Sequence, residues 1–197
     1  MTAMDDKSQS VLERIFRSAH SMNNLIEDIL NVTKLEANQV TLDLKVMPLH
    51  SILAETLELM HTLANDKGIK LELARNSYEC DVEVDHGRML QVFSNIIGNA
   101  IKFTPENGSI IAKIEKCGPE FVKISIKDSG PGIPKENLHY VFDRFWQAKE
   151  AKRLGTGLGL AIVKGIVERH GGEIWAESVD RQGTTFIIQL PIKVPLN

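Results

Sequence analysis

Between residues 11 and 36, apolar side chains return in alternating steps of three and four: Leu12, Ile15, Ala19, Met22, Ile26, Ile29 and Thr33. That rhythm lays them along one stripe of a long helix, the seam of a coiled coil or helical bundle. Val11, Phe16, Leu25, Leu30 and Val32 widen the stripe beyond what a two-stranded coil covers. Such a helix wants partner helices, as in a four-helix bundle; docking on its own domain is the plainer alternative.

After Asn38 the rhythm changes. Residues 40–46, VTLDLKV, alternate as a strand does, and 48–66 read as a helix opened by Pro48. IKLELA and DVEV read as short strands. Asp85 stands as an N-cap before a helix running through Phe103. SIIAKIEK and FVKISIKD predict a hairpin. A helix near 134–142, another near 158–169 and the strands EIWAES and TTFIIQLP complete the chain. Strands mixed with helices, without strict βαβ alternation, predict an α+β fold: a two-layer sandwich with helices on one face of a mixed sheet, preceded by one long bundle-type helix.

Composition narrows the function classes. A chain of 197 residues can bury a real core, and its formal net charge of -3 gives no electrostatic case for nucleic acid or an anionic membrane. The apolar runs break well before the ~20 residues a membrane span needs. No cationic, apolar signal segment opens the chain. Cys80 and Cys117 are isolated thiols without CxxC spacing, which suggests neither zinc nor a disulfide framework. A reducing, cytoplasmic setting is the expectation.

Three stretches carry candidate chemistry. Asn95 and Asn99 lie four apart in the 85–103 helix, with Lys102 three further on, so all three share one face. Amide oxygens there could meet a hard cation and the ammonium a phosphate, although a solvated polar face is the plainer alternative. In KDSGPGIP, Asp128 ends an alternating apolar strand, and Gly130 and Gly132 make a tight turn that lets a ligand approach. Asp128 would then be a fixed carboxylate acceptor suited to an exocyclic amine; alone, the segment also fits an ordinary Asx turn. Finally, GTGLGLAIVKG places Gly155, Gly157 and Gly159 at the start of a helix, where bare backbone N–H groups can meet an anion. The G-K-[ST] ending of a P-loop is missing.

Taken in order, Asn95-x-x-x-Asn99, Asp128-x-Gly130-x-Gly132, Phe142-x-x-Phe145 and Gly155-x-Gly157-x-Gly159 closely resemble the four boxes of sensor histidine kinases. NAIKFTP, VFDRFWQ, GLGLAIVKGIVERHGGEIWAES and GTTFIIQLP extend the likeness from about Val11 to Ile192. The resemblance implies the Bergerat-type ATP-binding sandwich shared with gyrase, heat-shock chaperone and mismatch-repair ATPases. It also implies that Asp128 accepts the adenine amino group, with Gly132 and Ile133 lining the base. Asn99 would ligate Mg²⁺, Asn95 would support the metal or the phosphates, and Lys102 would meet phosphate. Phe142 to Arg153 would form a lid with Lys149, Lys152 and Arg153 as phosphate partners. Gly157 to Gly159 would pass under the phosphates, with Thr156, Leu158 and Leu160 beside them among the nucleotide-binding residues, and Thr184 would reach the adenine through water. Gln147 departs from the family, where many members carry arginine, and that leaves open which lid residue touches the β- or γ-phosphate.

A phosphoacceptor histidine followed by an acidic residue is absent. The six histidines precede Ser21, Ser51, Thr62, Gly87, Tyr140 and Gly171. His20 has Asn24 at the position that assists phosphatase chemistry in the family, yet LERIFRSAHSMNNLIEDILNVTKLEAN resembles the second dimerization helix, which makes His20 a rim position. The expected organisation is residues 1–38 as that second helix, truncated from its hairpin, and 39–197 as the complete catalytic and ATP-binding domain. The implied activity is transfer of the ATP γ-phosphate to a histidine held elsewhere, for relay to a response regulator receiver domain. The implied partners are the kinase's own acceptor helix and a second protomer, with no nucleic acid and no membrane contact. Two alternatives stand beside it: a degenerate nucleotide-binding or interaction module, and an ATPase. Against the second, ATPase relatives carry glutamate where this chain has Asn95, and an amide cannot activate water.

Overall fold

A computed structural model describes residues 41–147 and 156–192, together with positions 11, 12, 15, 16, 19, 22, 23, 25, 26, 28–31 and 33. Seven strands are present: β1 (Lys45–Pro48), β2 (Lys70–Leu73), β3 (Asp81–Val84), β4 (Ser109–Cys117), β5 (Phe121–Asp128), β6 (Glu173–Ser178) and β7 (Thr184–Pro191). The helices are α1 (Leu49–Asn65), α2 (His86–Phe103) and α3 (Gly159–Arg169). Five strands form one mixed sheet in the order β2-β4-β5-β7-β6, in which only the β2–β4 pair is parallel. β1 and β3 make a separate antiparallel pair.

Alternation decides which face is covered. Ile110, Ala112 and Ile114 of β4 stand beside Asp128, Ile126 and Ile124 of β5, and the row continues through Phe186, Ile188 and Leu190 of β7. These apolar side chains are buried against Met89, Phe93, Ile96 and Ile97 of α2 and Ile162, Val163 and Ile166 of α3. At roughly 25 cal/mol per Å² of apolar area removed from water, this continuous layer is the main stabilising term. Lys113, Glu115 and Lys123 share the opposite face, where Glu115 bridges both lysines.

Both ends of α2 are tied down by side chains that lie outside the helix. At its start Asp85 accepts from the Arg88 N–H at 3.0 Å, the N-cap its sequence predicts. At its end the Lys67 ammonium donates to the carbonyls of Ile101, Lys102 and Thr104 at 2.8, 3.2 and 3.0 Å, covering the acceptors that a helix C-terminus leaves open. His170, buried beyond the end of α3, joins the two helices: its Nε2 accepts from the Asp85 N–H at 3.0 Å. The ring proton therefore sits on Nδ1 and is donated to the Ile166 carbonyl at 2.8 Å.

Burial pushes the His170 pKa down, against the opposing pull of the Ile166 carbonyl and the Asp85 charge. Below the ordinary histidine pKa of about 6.5, the unfolded chain takes up a proton that the folded chain refuses, so unfolding becomes easier. We therefore expect stability to fall as pH drops below about 6.5, by at most ~1.4 kcal/mol per pH unit for this one group, and to be level above it. Urea unfolding from pH 5 to 8 measures it. The His170→Gln chain should lose that part of the slope, and an unaltered slope would refute the assignment.

Two predicted elements differ in extent. The strand expected over 40–46 begins only at Lys45, because its partner β3 offers four ladder positions and the Asp43 N–H is taken by the Asp85 carboxylate instead. The helix expected near 134–142 is a single 3₁₀ segment, Lys135–Tyr140, that buries none of its residues and so gains nothing from an α-helical apolar stripe. The described positions from 11 to 33 are helical, as expected, and leave Leu12, Ile15, Phe16, Met22, Ile26 and Leu30 exposed.

Candidate functional site

Asp128 occupies a core-parity position of β5, following Val122, Ile124 and Ile126 along the buried face, but at the strand's very end. A carboxylate there is held beneath the sheet edge and is 6% exposed. Its Oδ1 accepts the N–H of Gly130 at 2.8 Å and that of Thr184 at 3.2 Å. Oδ2 takes neither donor and remains the free acceptor. Burial raises the Asp128 pKa, and the two backbone donors partly oppose that rise.

The loop after Asp128 is pinned to the β6–β7 turn. Arg181 donates its N–H to the Pro131 carbonyl at 2.6 Å, and Ile133 donates to Ser178 Oγ at 2.7 Å. Gly130 and Thr184 therefore both meet Asp128, while Gly132 and Ile133 lie against Val179 and Ser178 at the end of β6. The carbonyl of Phe103, at the end of α2, closes on Gly130.

Toward the middle of α2, Asn95 turns its Nδ2 to the Gln91 carbonyl at 2.8 Å. An amide so anchored must aim Oδ1 the other way, and that oxygen lies against Gly159 at the start of α3. A Cβ at Gly159 would come within 2.7 Å of it, so glycine is what lets the helix start and the amide meet. Asn99 follows one turn later on α2. Asn95 and Phe103, eight residues apart, span roughly 12 Å of α2 at ~1.5 Å per residue, so the helix links the Asp128 loop to the glycine loop.

Gly157 adopts a φ of 74° and its carbonyl accepts the Phe145 N–H at 2.9 Å. A side chain there would strike the Phe145 backbone at 2.8 Å. Phe145 itself is mostly exposed and left-handed, with a φ of 60°, whereas Phe142 packs edge-on against Phe186 at 6.3 Å. The Thr156 hydroxyl accepts from the Leu158 N–H at 3.2 Å and donates to Asp28 of the N-terminal helix at 2.8 Å. Leu158 is fully buried, and Leu160 packs on the core with it. Lys102 is half-buried 4.8 Å over the Phe103 ring, and burial lowers its pKa. Lys149, Lys152, Arg153 and Gly155 lie outside the described residues, as do His20 and Asn24.

The sequence reading missed Ser178, Gly183 and Asp28. Ser178 had a signal: EIWAES and TTFIIQLP pair antiparallel, and that register sets Ser178 directly opposite Thr184.

A cavity of 440 Å³ lies elsewhere, lined by Pro48, His50, Ser51, Glu79, Cys80 and Asp81. Its two carboxylates are the wrong sign for an anion, and none of the expected site residues borders it. Among the described residues, no cluster of three His, Cys, Asp or Glu side chains could hold a metal ion, and no helix is long and apolar enough to cross a membrane.

Residues 84–194 match the model of the "Histidine kinase-, DNA gyrase B-, and HSP90-like ATPase" family. The sensor histidine kinase WalK of Bacillus subtilis (strain 168) is 35% identical over 195 residues, covering 94% of this chain and 30% of that protein. The signal transduction histidine-protein kinase BarA of Escherichia coli (strain K12) is 36% identical over 193 residues, covering 94% of this chain and 21% of its own length. The chain thus spans a third or less of these curated relatives. Among solved structures, full-length ShkA in complex with AMPPNP superimposes with a TM-score of 0.85 at 29% identity, over 98% of this chain and 40% of that one. Histidine kinase ThkA in complex with response regulator protein TrrA gives 0.74 at 26% identity, over 98% and 53%. The chain belongs to the family of histidine kinase-, DNA gyrase B- and HSP90-like ATPases, and the relatives it matches are named histidine kinases.

Proposed function

We propose that this chain binds Mg–ATP between the Asp128 loop and the glycine box, and presents the γ-phosphate to a histidine on a helix outside residues 39–197. The observation that carries this reading is Asp128. One carboxylate oxygen is held by two backbone donors, and the other is left as an acceptor for the adenine amino group. Gly132 and Ile133 line the base, while Thr184 reaches it through water. Residues 1–38 are read as the second dimerization helix.

Asn95 and Asn99 fit a magnesium ion, because hard cations take oxygen ligands and the Asn95 oxygen is fixed toward the glycine loop by its Gln91 bond. A magnesium ion held there would supply charge neutralisation to the phosphates. The chain's own part is positioning: Gly157 and Gly159 let polyphosphate approach the α3 start, where Gly159, Leu160 and Ala161 have no intrahelical partner for their N–H groups. Lys102, Lys152 and Arg153 supply positive charge. No carboxylate stands at Asn95 to activate water, so phosphoryl transfer to an imidazole nucleophile is favoured over hydrolysis. Relay to a response regulator aspartate follows from the same reading, supported by the likeness to ThkA, which was solved with one.

Calorimetric titration with Mg–ADP tests the binding step. A Kd in the micromolar range, about −8 kcal/mol, is expected. Incubation with labelled Mg–ATP and the separately supplied acceptor hairpin should give phosphate that is acid-labile and alkali-stable. Absence of nucleotide binding would leave the interaction-module reading in front.

A further inference from the structure

We infer that Ser178 is a positioning residue that fixes the hydrogen-bond polarity of Thr184, and thereby makes the base-facing edge select a 6-aminopurine over a 6-oxopurine. The inference rests on the proposed nucleotide site and adds a specificity determinant to it. Ser178 Oγ has three neighbours: the Ile133 N–H at 2.7 Å, the Gly183 carbonyl at 2.8 Å and the Thr184 hydroxyl at 3.1 Å.

A hydroxyl has one proton and two lone pairs. The Ile133 amide can only donate, so it occupies one lone pair. The Gly183 carbonyl can only accept, so it takes the proton. The one remaining lone pair faces Thr184, whose hydroxyl must donate to it. All three capacities of Ser178 are then used, and Thr184 Oγ1 is left offering lone pairs alone.

Thr184 is 5% exposed and is joined to Asp128 through its own N–H. The edge thus presents the Asp128 carboxylate and the Thr184 oxygen, two acceptors side by side. An exocyclic amine supplies donors to such an edge, directly or through one water. A ring carbonyl at the same position would set lone pair against lone pair, and unpaired buried acceptors are strongly unfavourable. Ser178 also bridges the 129–134 loop to the β6–β7 turn, so the same atom holds both walls of the base site.

Titration with Mg–ADP and Mg–IDP, which differ in the amino and oxo groups at purine C6, measures the effect. In Ser178→Ala, Thr184 is free to turn its proton toward the ligand. We expect the ADP affinity to fall about tenfold and the ADP-to-IDP preference to shrink severalfold. In a Thr184→Val background, Ser178→Ala should leave the preference unchanged, because its route is gone. Equal losses for both nucleotides in Ser178→Ala would overturn the inference and leave a purely structural serine. If that variant fails to fold, Thr184→Val alone decides: an unaltered preference overturns it. A native chain that binds neither nucleotide would instead sink the nucleotide-site reading itself.

Discussion

Asp128→Asn lowers the affinity for Mg–ADP by about a hundredfold or more and does not lower the melting temperature. The asparagine keeps an oxygen for the Gly130 and Thr184 N–H groups, so the strand end and its turn stay closed. What changes is the other atom, which becomes an NH₂ aimed at an amine. A charge-assisted hydrogen bond, about 1.5–3 kcal/mol, is replaced by two donors facing each other. At ~1.4 kcal/mol per tenfold, that gives the expected loss.

Stability moves the other way because burial raises the Asp128 pKa above that of the unfolded chain. A raised pKa means the folded state prefers the protonated acid. The associated stabilisation is present below about pH 3.9, the unfolded value, and is lost as pH rises through the folded pKa. At neutral pH the ionised, buried carboxylate therefore burdens the fold, and the neutral amide relieves it. Calorimetric titration and scanning calorimetry on the same pair of chains read both effects. A variant that binds ADP like the native chain would remove Asp128 from the site. A variant that has merely unfolded would show in the melting curve.

The same carboxylate illustrates how much the chain discloses before folding. Parity along FVKISIKD puts Asp128 on the face of Ile124 and Ile126, so its burial follows from alternation alone. Asp85 likewise announces the start of α2, because a cap acts on a neighbour three residues away. The tie from Asp85 to His170 spans 85 residues and has no local signature. Nor does the parallel pairing of β2 with β4, which needs the long crossover through β3 and α2 and is not written in the four residues of β2. Ser178 reads as an ordinary strand serine until its register with Thr184 is known. In the glycine box, sequence showed that bare backbone was wanted; only the fold shows that Gly157 yields to Phe145 and Gly159 to Asn95.

Gly183→Ala is expected to be among the most damaging single-methyl changes in this domain, and Gly98→Ala a mildly stabilising one. Gly183 has a φ of 92°, and a Cβ there would lie 1.9 Å from the Asp128 carbonyl oxygen and 2.9 Å from its carbon. Both obstacles are backbone, so no side chain can turn aside. Relief requires the β6–β7 turn to lift from the end of β5, which breaks the Thr184-to-Asp128 and Arg181-to-Pro131 bonds together. Overpacking and backbone strain at about 1–3 kcal/mol each combine to several kcal/mol, a drop in melting temperature on the order of 10 °C, with nucleotide binding lost. At Gly98, mid-way along α2, a Cβ meets nothing within 4 Å. There alanine relieves the helix of glycine's backbone entropy, worth about 0.5–1 kcal/mol. Thermal melts of the two variants should therefore shift in opposite directions. If Gly183→Ala melted with the native chain, the turn would not be seated on Asp128, and the base site built around that contact would have to be placed elsewhere.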